Sequence, residues 1–411
     1  MKKVILTVSL FVASVSVFAQ QSSVKEAKSI IEGTNPDFAK AEQLISAALK
    51  DPSTMNDPAT WNIAGQIQSK VNEKENTKLY LKQPFDTTKM YNSILEMYQY
   101  FLKCDELAQV PNEKGKIKNK FRKENADIML KSRSNLLNGF VQYLNSGDSK
   151  KALDFFKTYA DSRDYPILAD AKLAQQNDTI LNQYAYYAIA AAYRENDYDI
   201  VKKYAPVGMK YEKNASNCLQ ILAEVYKAQK DSVEFLKTVQ EGVAKYPSEK
   251  YFLGSVIDYY SAHNQNEKAM EFADSQLKND PNNKFMVFVK AYLYQMMKDY
   301  DNAVTYYDKA IQLDPAYVDA LSNLGLTYVL KAQVVSDKAT TNVNSPKYKQ
   351  DQAAIKALYE KARPYYEKAR ELKPDNKDLW ARGLYRVYYC LNMAPQFEEM
   401  EKILGIDSTK K

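Results

Sequence analysis

One histidine, three cysteines and eleven glycines are all that 411 residues hold of the side chains on which metal centres, thiol chemistry and phosphate-cradling loops depend. A lone His263 excludes the H-E-x-x-H metal motif and any site that needs two imidazoles. It follows Ser261-Ala262, where a polar turn residue is the simplest reading. Cys104, Cys218 and Cys390 lie far apart with no C-x-x-C or zinc spacing, and their odd number leaves at least one unpaired. Neither G-x-x-x-x-G-K-[ST], G-x-G-x-x-G nor G-x-S-x-G occurs. Two facing carboxylates need no motif, but no such pair can be named. The string Asn279-Asp280-Pro281-Asn282-Asn283 lacks the spacing of a calcium loop and reads as a turn. No cofactor and no metal is expected. Strand-like alternation is nearly absent as well, which leaves an all-α chain.

Charge of one sign is also missing. The 57 basic and 51 acidic residues are interspersed and leave a formal net charge of +6. No basic stripe of the kind that binds nucleic acid is present. Lys114 to Lys123 is the densest basic run; a solvated loop with a helix start and a contact for an acidic surface are both open. Long apolar runs are confined to the start. Lys2 and Lys3, the apolar stretch Val4–Phe18 and the small residue Ala19 read as a secretory signal over 1–19, cleaved before Gln20. A retained anchor is the competing reading, but the stretch is shorter than the roughly 20 residues a spanning helix needs. The mature product is expected to be exported, most plausibly to a periplasm, without stable membrane insertion. The cysteines are then either small buried apolar residues or, in an oxidising compartment, the source of one long-range bridge.

What the chain does have is a period. Tyr226, Tyr260, Tyr294 and Tyr328 recur every 34 residues, and Pro247, Pro281 and Pro315 keep the same step. Around Tyr294 the unit reads Val287, Ala291, Tyr294, Ala303, Tyr307, Ala310, Pro315. The next begins Leu321, Leu324, Gly325, Tyr328 and returns as Ala362, Tyr366, Ala369, Pro374. This resembles the tetratricopeptide repeat, W-x2-L-G-x2-Y…A-x3-F…P. Trp61 and Gly65, Ala152 and Phe156, and Trp380 extend it more loosely. Lys290 departs from the pattern in the leucine slot and Ala273 in the aromatic slot. The resemblance implies a right-handed solenoid of antiparallel helix pairs, about seven repeats. Residues 20–215 form a divergent helical part and 216–411 a regular one.

Small residues let paired helices approach, bulky ones fill the gaps, and proline ends the second helix. Truncating Tyr294 to Ala is therefore expected to cost roughly 3–5 kcal/mol. The spans Pro52–Pro111 and Pro315–Pro374 are each 59 residues, one repeat with an insertion between its helices. In the first, Asn72–Lys89 is a polar stretch; in the second, near 332–351, the flanks read as helix extensions. Each insertion is either a tolerated surface loop or a functional one.

The resemblance further implies that first helices line a concave face that receives a peptide. Its slots fall on Tyr251, Phe285 and Asp319, then Gly254, Phe288 and Ser322, then Asp258, Tyr292 and Leu326. Lys and Asn, which grip acidic tails in some members, are missing from the second and third sets; Asn323 matches a further clamp position alone. The candidate groove is therefore Tyr251, Asp258, Phe285, Phe288, Tyr292, Asp319 and Asn323, aromatic with an acidic rim. Either this face is open, or it packs on a neighbouring repeat or an inserted loop. The expected function is a non-catalytic exported scaffold that binds a protein or peptide partner in the cell envelope. A glycan-binding protein that uses exposed aromatics is the alternative.

Overall fold

The computed structural model describes residues 20–111 and 113–406, so the expected signal over 1–19 lies outside the described residues. Within them every regular element is a helix. The chain divides into two compact units between Phe235 and Leu236.

The first unit holds α1 (residues 20–32), α2 (Phe38–Ala48), α3 (Pro58–Tyr80), α4 (Thr87–Ala108), α5 (Arg122–Asn145), α6 (Ser149–Asp161), α7 (Thr179–Arg194), α8 (Tyr198–Gly208) and α9 (Glu212–Ala228). The segment between α6 and α7 is a run of 3₁₀ turns. Then α10 (Ser232–Lys245) crosses the boundary. The second unit continues with α11 (Lys250–Ala262), α12 (Asn266–Asn279), α13 (Lys284–Met296), α14 (Tyr300–Leu313), α15 (Val318–Asp337), α16 (Pro346–Leu372), α17 (Ala381–Cys390) and α18 (Ala394–Leu404). Helices pair as consecutive hairpins: α3 packs on α4, α5 on α6 and α7 on α8 in the first unit, and α11 on α12 through α17 on α18 in the second.

Local chemistry explains the ends. Asp37, Asp57, Asp86, Asp148, Asp178, Asp197, Asn283 and Asp299 each accept a backbone N–H in the first turn of the helix they cap. The hairpin turns repeat more strictly than the side chains do. Asn196, Lys230, Asn264 and Lys298 all have φ between 56° and 61°, one every 34 residues. Asparagine tolerates that left-handed conformation; lysine holds it at a steric cost.

Packing corrects the expectation for the period-34 tyrosines. Tyr226, Tyr260, Tyr294 and Tyr328 are only half-buried. Tyr294 stacks on Tyr306, and Tyr328 on Tyr365. The deep aromatic positions are instead on second helices, at Tyr307 and Tyr366. The glycine slot accounts for this. A Cβ on Gly325 would lie 2.8 Å from the Tyr366 ring, and one on Gly65 only 2.3 Å from the Phe101 ring. The second-helix ring occupies the space that glycine vacates on the first. Truncating Tyr294 should therefore cost about 1–2 kcal/mol, the scale of a stacked pair with partial burial.

The polar stretch Asn72–Lys89 is also mostly helical, since α3 runs on to Tyr80 and α4 starts at Thr87. Asn72 and Glu75 are buried there. The Asn72 carboxamide donates to the Met90 carbonyl at 2.7 Å, and Glu75 accepts the Asp86 N–H at 2.9 Å. Burial of polar groups is tolerated because each finds a partner. In the second insertion α15 and α16 are long and pack along each other, so most of 332–351 is helical and 338–345 is left as the connection.

Candidate functional site

All seven candidate residues lie on first helices of the second unit, α11, α13 and α15. They do not share one environment. Phe288 is half-buried between Tyr307 and Tyr317, with ring centroids 5.7 and 5.2 Å away, and belongs to the core between repeats. Phe285 reaches back over α11, where the tip of its ring would sit 3.7 Å from a Cβ on Gly254. The Lys250 ammonium lies 5.8 Å from its ring centre. Tyr251 is half-buried, edge-on to Phe252 at 5.2 Å. Asp258 and Asp319 are exposed. The Asn323 carboxamide donates to the Asp319 carbonyl of its own helix at 2.8 Å, so this donor is already engaged.

Tyr292 opens outward, and it has company. Tyr292 is 38% exposed, Met296 one turn further along α13 is 56% exposed, and Leu326 at the matching position of α15 is 38% exposed. Asp258 holds the same position on α11. The result is an apolar row on successive first helices with a carboxylate at one end. Beyond it, Arg382, Tyr385, Arg386 and Tyr389 of α17 line a cavity of about 520 Å³ with Leu404 and Ile406. Counted back from the turn residue Asn392, Arg386 takes the position of Tyr292; counted forward from Trp380, Tyr385 takes it. The one-residue difference is absorbed where the 3₁₀ turn Lys377–Leu379 precedes Ala381. Sequence reasoning missed these α17 residues. The offset of Trp380 from Pro374 could have found them to within one position.

The two departures from the repeat pattern find structural uses. Lys290 bonds Asp274 at 2.5 Å and lies 4.6 Å from the Tyr306 ring centre, a lock among α12, α13 and α14. Burial opposes its charge, but bonds to Asp274 and Tyr306 outweigh that and hold its pKa above the ordinary value. Ala273 is fully buried. Between α13 and α15, Tyr307 and Thr327 both donate to the buried Gln295 carboxamide oxygen, at 3.0 and 2.9 Å.

Among the described residues no group of three or more His, Cys, Asp or Glu side chains is placed to hold a metal ion. His263 closes α11, its Nδ1 2.7 Å from the Tyr259 carbonyl and its ring against that tyrosine. The three cysteines are free thiols; burial pushes Cys104 and Cys218 up to about 12, so both stay protonated. No described helix is long and apolar enough to cross a membrane.

Helical hairpins repeating at 34 residues, with small residues under second-helix rings, define a helical repeat protein. Residues 292–331 match a family model described as a TPR repeat, the stretch that runs from α13 into α15. Similar solved structures include the MamA protein, 15% identical over 46% of this chain and 93% of that one, with a TM-score of 0.32. YrrB, described as a TPR protein with an unusual peptide-binding site, is 14% identical over 51% of this chain and 94% of its own, TM-score 0.31. A TPR repeats protein from Bacteroides fragilis NCTC 9343 is 19% identical over 66% of this chain and 98% of its own, TM-score 0.31. No curated protein matches.

Proposed function

We propose that the chain is an exported, non-catalytic scaffold that binds an extended protein segment in the bacterial cell envelope. Binding is across the first-helix face of the second unit, read as the concave side of the repeat array. The observation that carries this reading is the exposed row Tyr292, Met296 and Leu326, in which Tyr292 and Leu326 hold the same position of successive repeats. Spaced apolar anchors with a charged rim suit a partner whose own apolar side chains recur along an extended strand. Asp258 at one end of the row and Arg382 and Arg386 at the other would orient it. Export rests on the basic and apolar pattern of residues 1–19.

A photo-crosslinking residue placed at Tyr292 or Leu326 should capture a discrete protein in the native envelope, and one at exposed Lys309 on α14 should not. Capture from all three positions alike, or from none, would sink the reading. Sequencing of the mature N-terminus is expected to begin at Gln20; an uncleaved Met1 would remove the export argument.

A further inference from the structure

The first unit contains a site of different chemistry, built where three helices of the divergent repeats come together. Trp61 lies in the tryptophan slot of α3, so Ala59, Asn62 and Gln66 take the positions that Phe285, Phe288 and Tyr292 take on α13. These three residues line a cavity of about 590 Å³, whose other walls come from α1 and the start of α5. Two oxygens on these lining residues have no hydrogen-bond partner and are hidden, so a ligand reaches them only as their side chains turn toward the cavity: the hydroxyl of Thr60, fully buried, and the carboxamide oxygen of Asn62, whose residue is 6% exposed. Buried polar groups without partners are rare, and each one costs stability unless something bonds it.

The lining says what that something is. Its charges balance: Lys25, Lys28 and Lys120 face Glu32, Asp57 and Glu124. The carboxylates are already engaged, Glu32 with Lys28, Asp57 with the Ala59 N–H, and Glu124 with the Gln66 carboxamide. No net charge is left to draw an ion. Val24, Ile63 and Phe121 add apolar surface. A ligand that fits must be uncharged, donate to Asn62, exchange hydrogen bonds with the Thr60 hydroxyl, and set C–H groups against an aromatic ring. We propose that this cavity binds a neutral saccharide, whose adjacent hydroxyls both donate and accept and whose ring faces are apolar. The proposal does not depend on the apolar row of the second unit.

The test titrates the full chain with maltotriose, cellotriose and triacetylchitotriose, and with a capped neutral Ala-Gly hexapeptide as the competing class. Calorimetry gives affinity and thermal unfolding gives stability. At least one trisaccharide should bind, and Thr60→Val and Asn62→Leu should each weaken it by about tenfold or more. The same variants without ligand should melt at the wild-type temperature or above it, because each removes an unpaired buried oxygen. That second readout separates lost recognition from lost folding. Three results overturn the proposal: no trisaccharide bound by wild type, binding undiminished in both variants, or hexapeptide bound here in place of sugar.

Discussion

The two compact units solve one problem by different means. Fifteen polar or charged residues are buried among the described positions; twelve lie before Leu236 and three after. In the first unit Asp178 ties α7 to earlier elements: it bonds Arg133 at 3.0 Å and Tyr159 at 3.1 Å, and pairs with Arg163 at 3.3 Å. Asn135 reaches Asn72 across 63 positions, and Arg122 grips Asp105 with two bonds. In the second unit the joints are alanines under tyrosines, and the buried Gln295 carboxamide links α13 to α14 and α15. A self-similar array can pack any repeat on any other, so it needs apolar fit alone. Where the repeat has diverged, hydrogen-bonded pairs between distant positions specify which neighbours meet.

Breaking an aromatic joint of the second unit should have the largest effect. Tyr307→Ala is expected to lose roughly 3–5 kcal/mol in chemical denaturation, against about 1–2 kcal/mol for Tyr294→Ala. Equal losses would mean that the period-34 tyrosines, not the second-helix rings, carry the joint. Next comes Asp178→Asn, expected to cost roughly 3 kcal/mol by leaving Arg133 largely buried without its partner. A loss below that of an ordinary surface ion pair would refute the lock.

The same carboxylate predicts a response to acid. Burial alone would raise the Asp178 pKa, but the Leu181 N–H, the Arg133 guanidinium and the Tyr159 hydroxyl outweigh it and hold the group below the usual range. A depressed folded pKa means that the stabilisation is full above about pH 4, the unfolded value, and fades as pH falls through the folded one. Wild type minus Asp178→Asn stability, measured from pH 7 to pH 2, should shrink only in that acid window.

Gly65→Ala tests whether the divergent unit keeps the close approach of the regular one. The new methyl meets the Phe101 ring, so a loss of about 1–3 kcal/mol is expected despite alanine's better helix propensity. A gain would show that α3 and α4 have room to part. The smallest effect is a stabilisation: Lys298→Gly relieves a left-handed lysine and should add up to about 1 kcal/mol. In folded protein, thiol reagent should modify half-exposed Cys390 well before Cys104 or Cys218.

Much of the fold was legible because a period fixes which side of a helix faces its neighbours. Tyr294, Tyr328, Ala291 and Pro315 gave the hairpins and their turns without any knowledge of contacts. The candidate groove was legible only in part. Its residues fall on α11, α13 and α15, but Phe288 goes inward between two tyrosines whereas Tyr292 stays out.

By itself, then, the sequence determined an all-helical chain, its 34-residue step, the glycine slots at Gly65 and Gly325, and the absence of recognisable catalytic motifs. Tertiary structure decided how deep each aromatic lies, that Asn72–Lys89 continues two helices, that α17 is displaced by one residue, and that Thr60 and Asn62 are hidden without partners. The reason is that periodicity is a property of neighbouring residues along one helix. Burial depth and hydrogen-bond satisfaction depend on which distant side chain fills the facing space, and no repeat length encodes that.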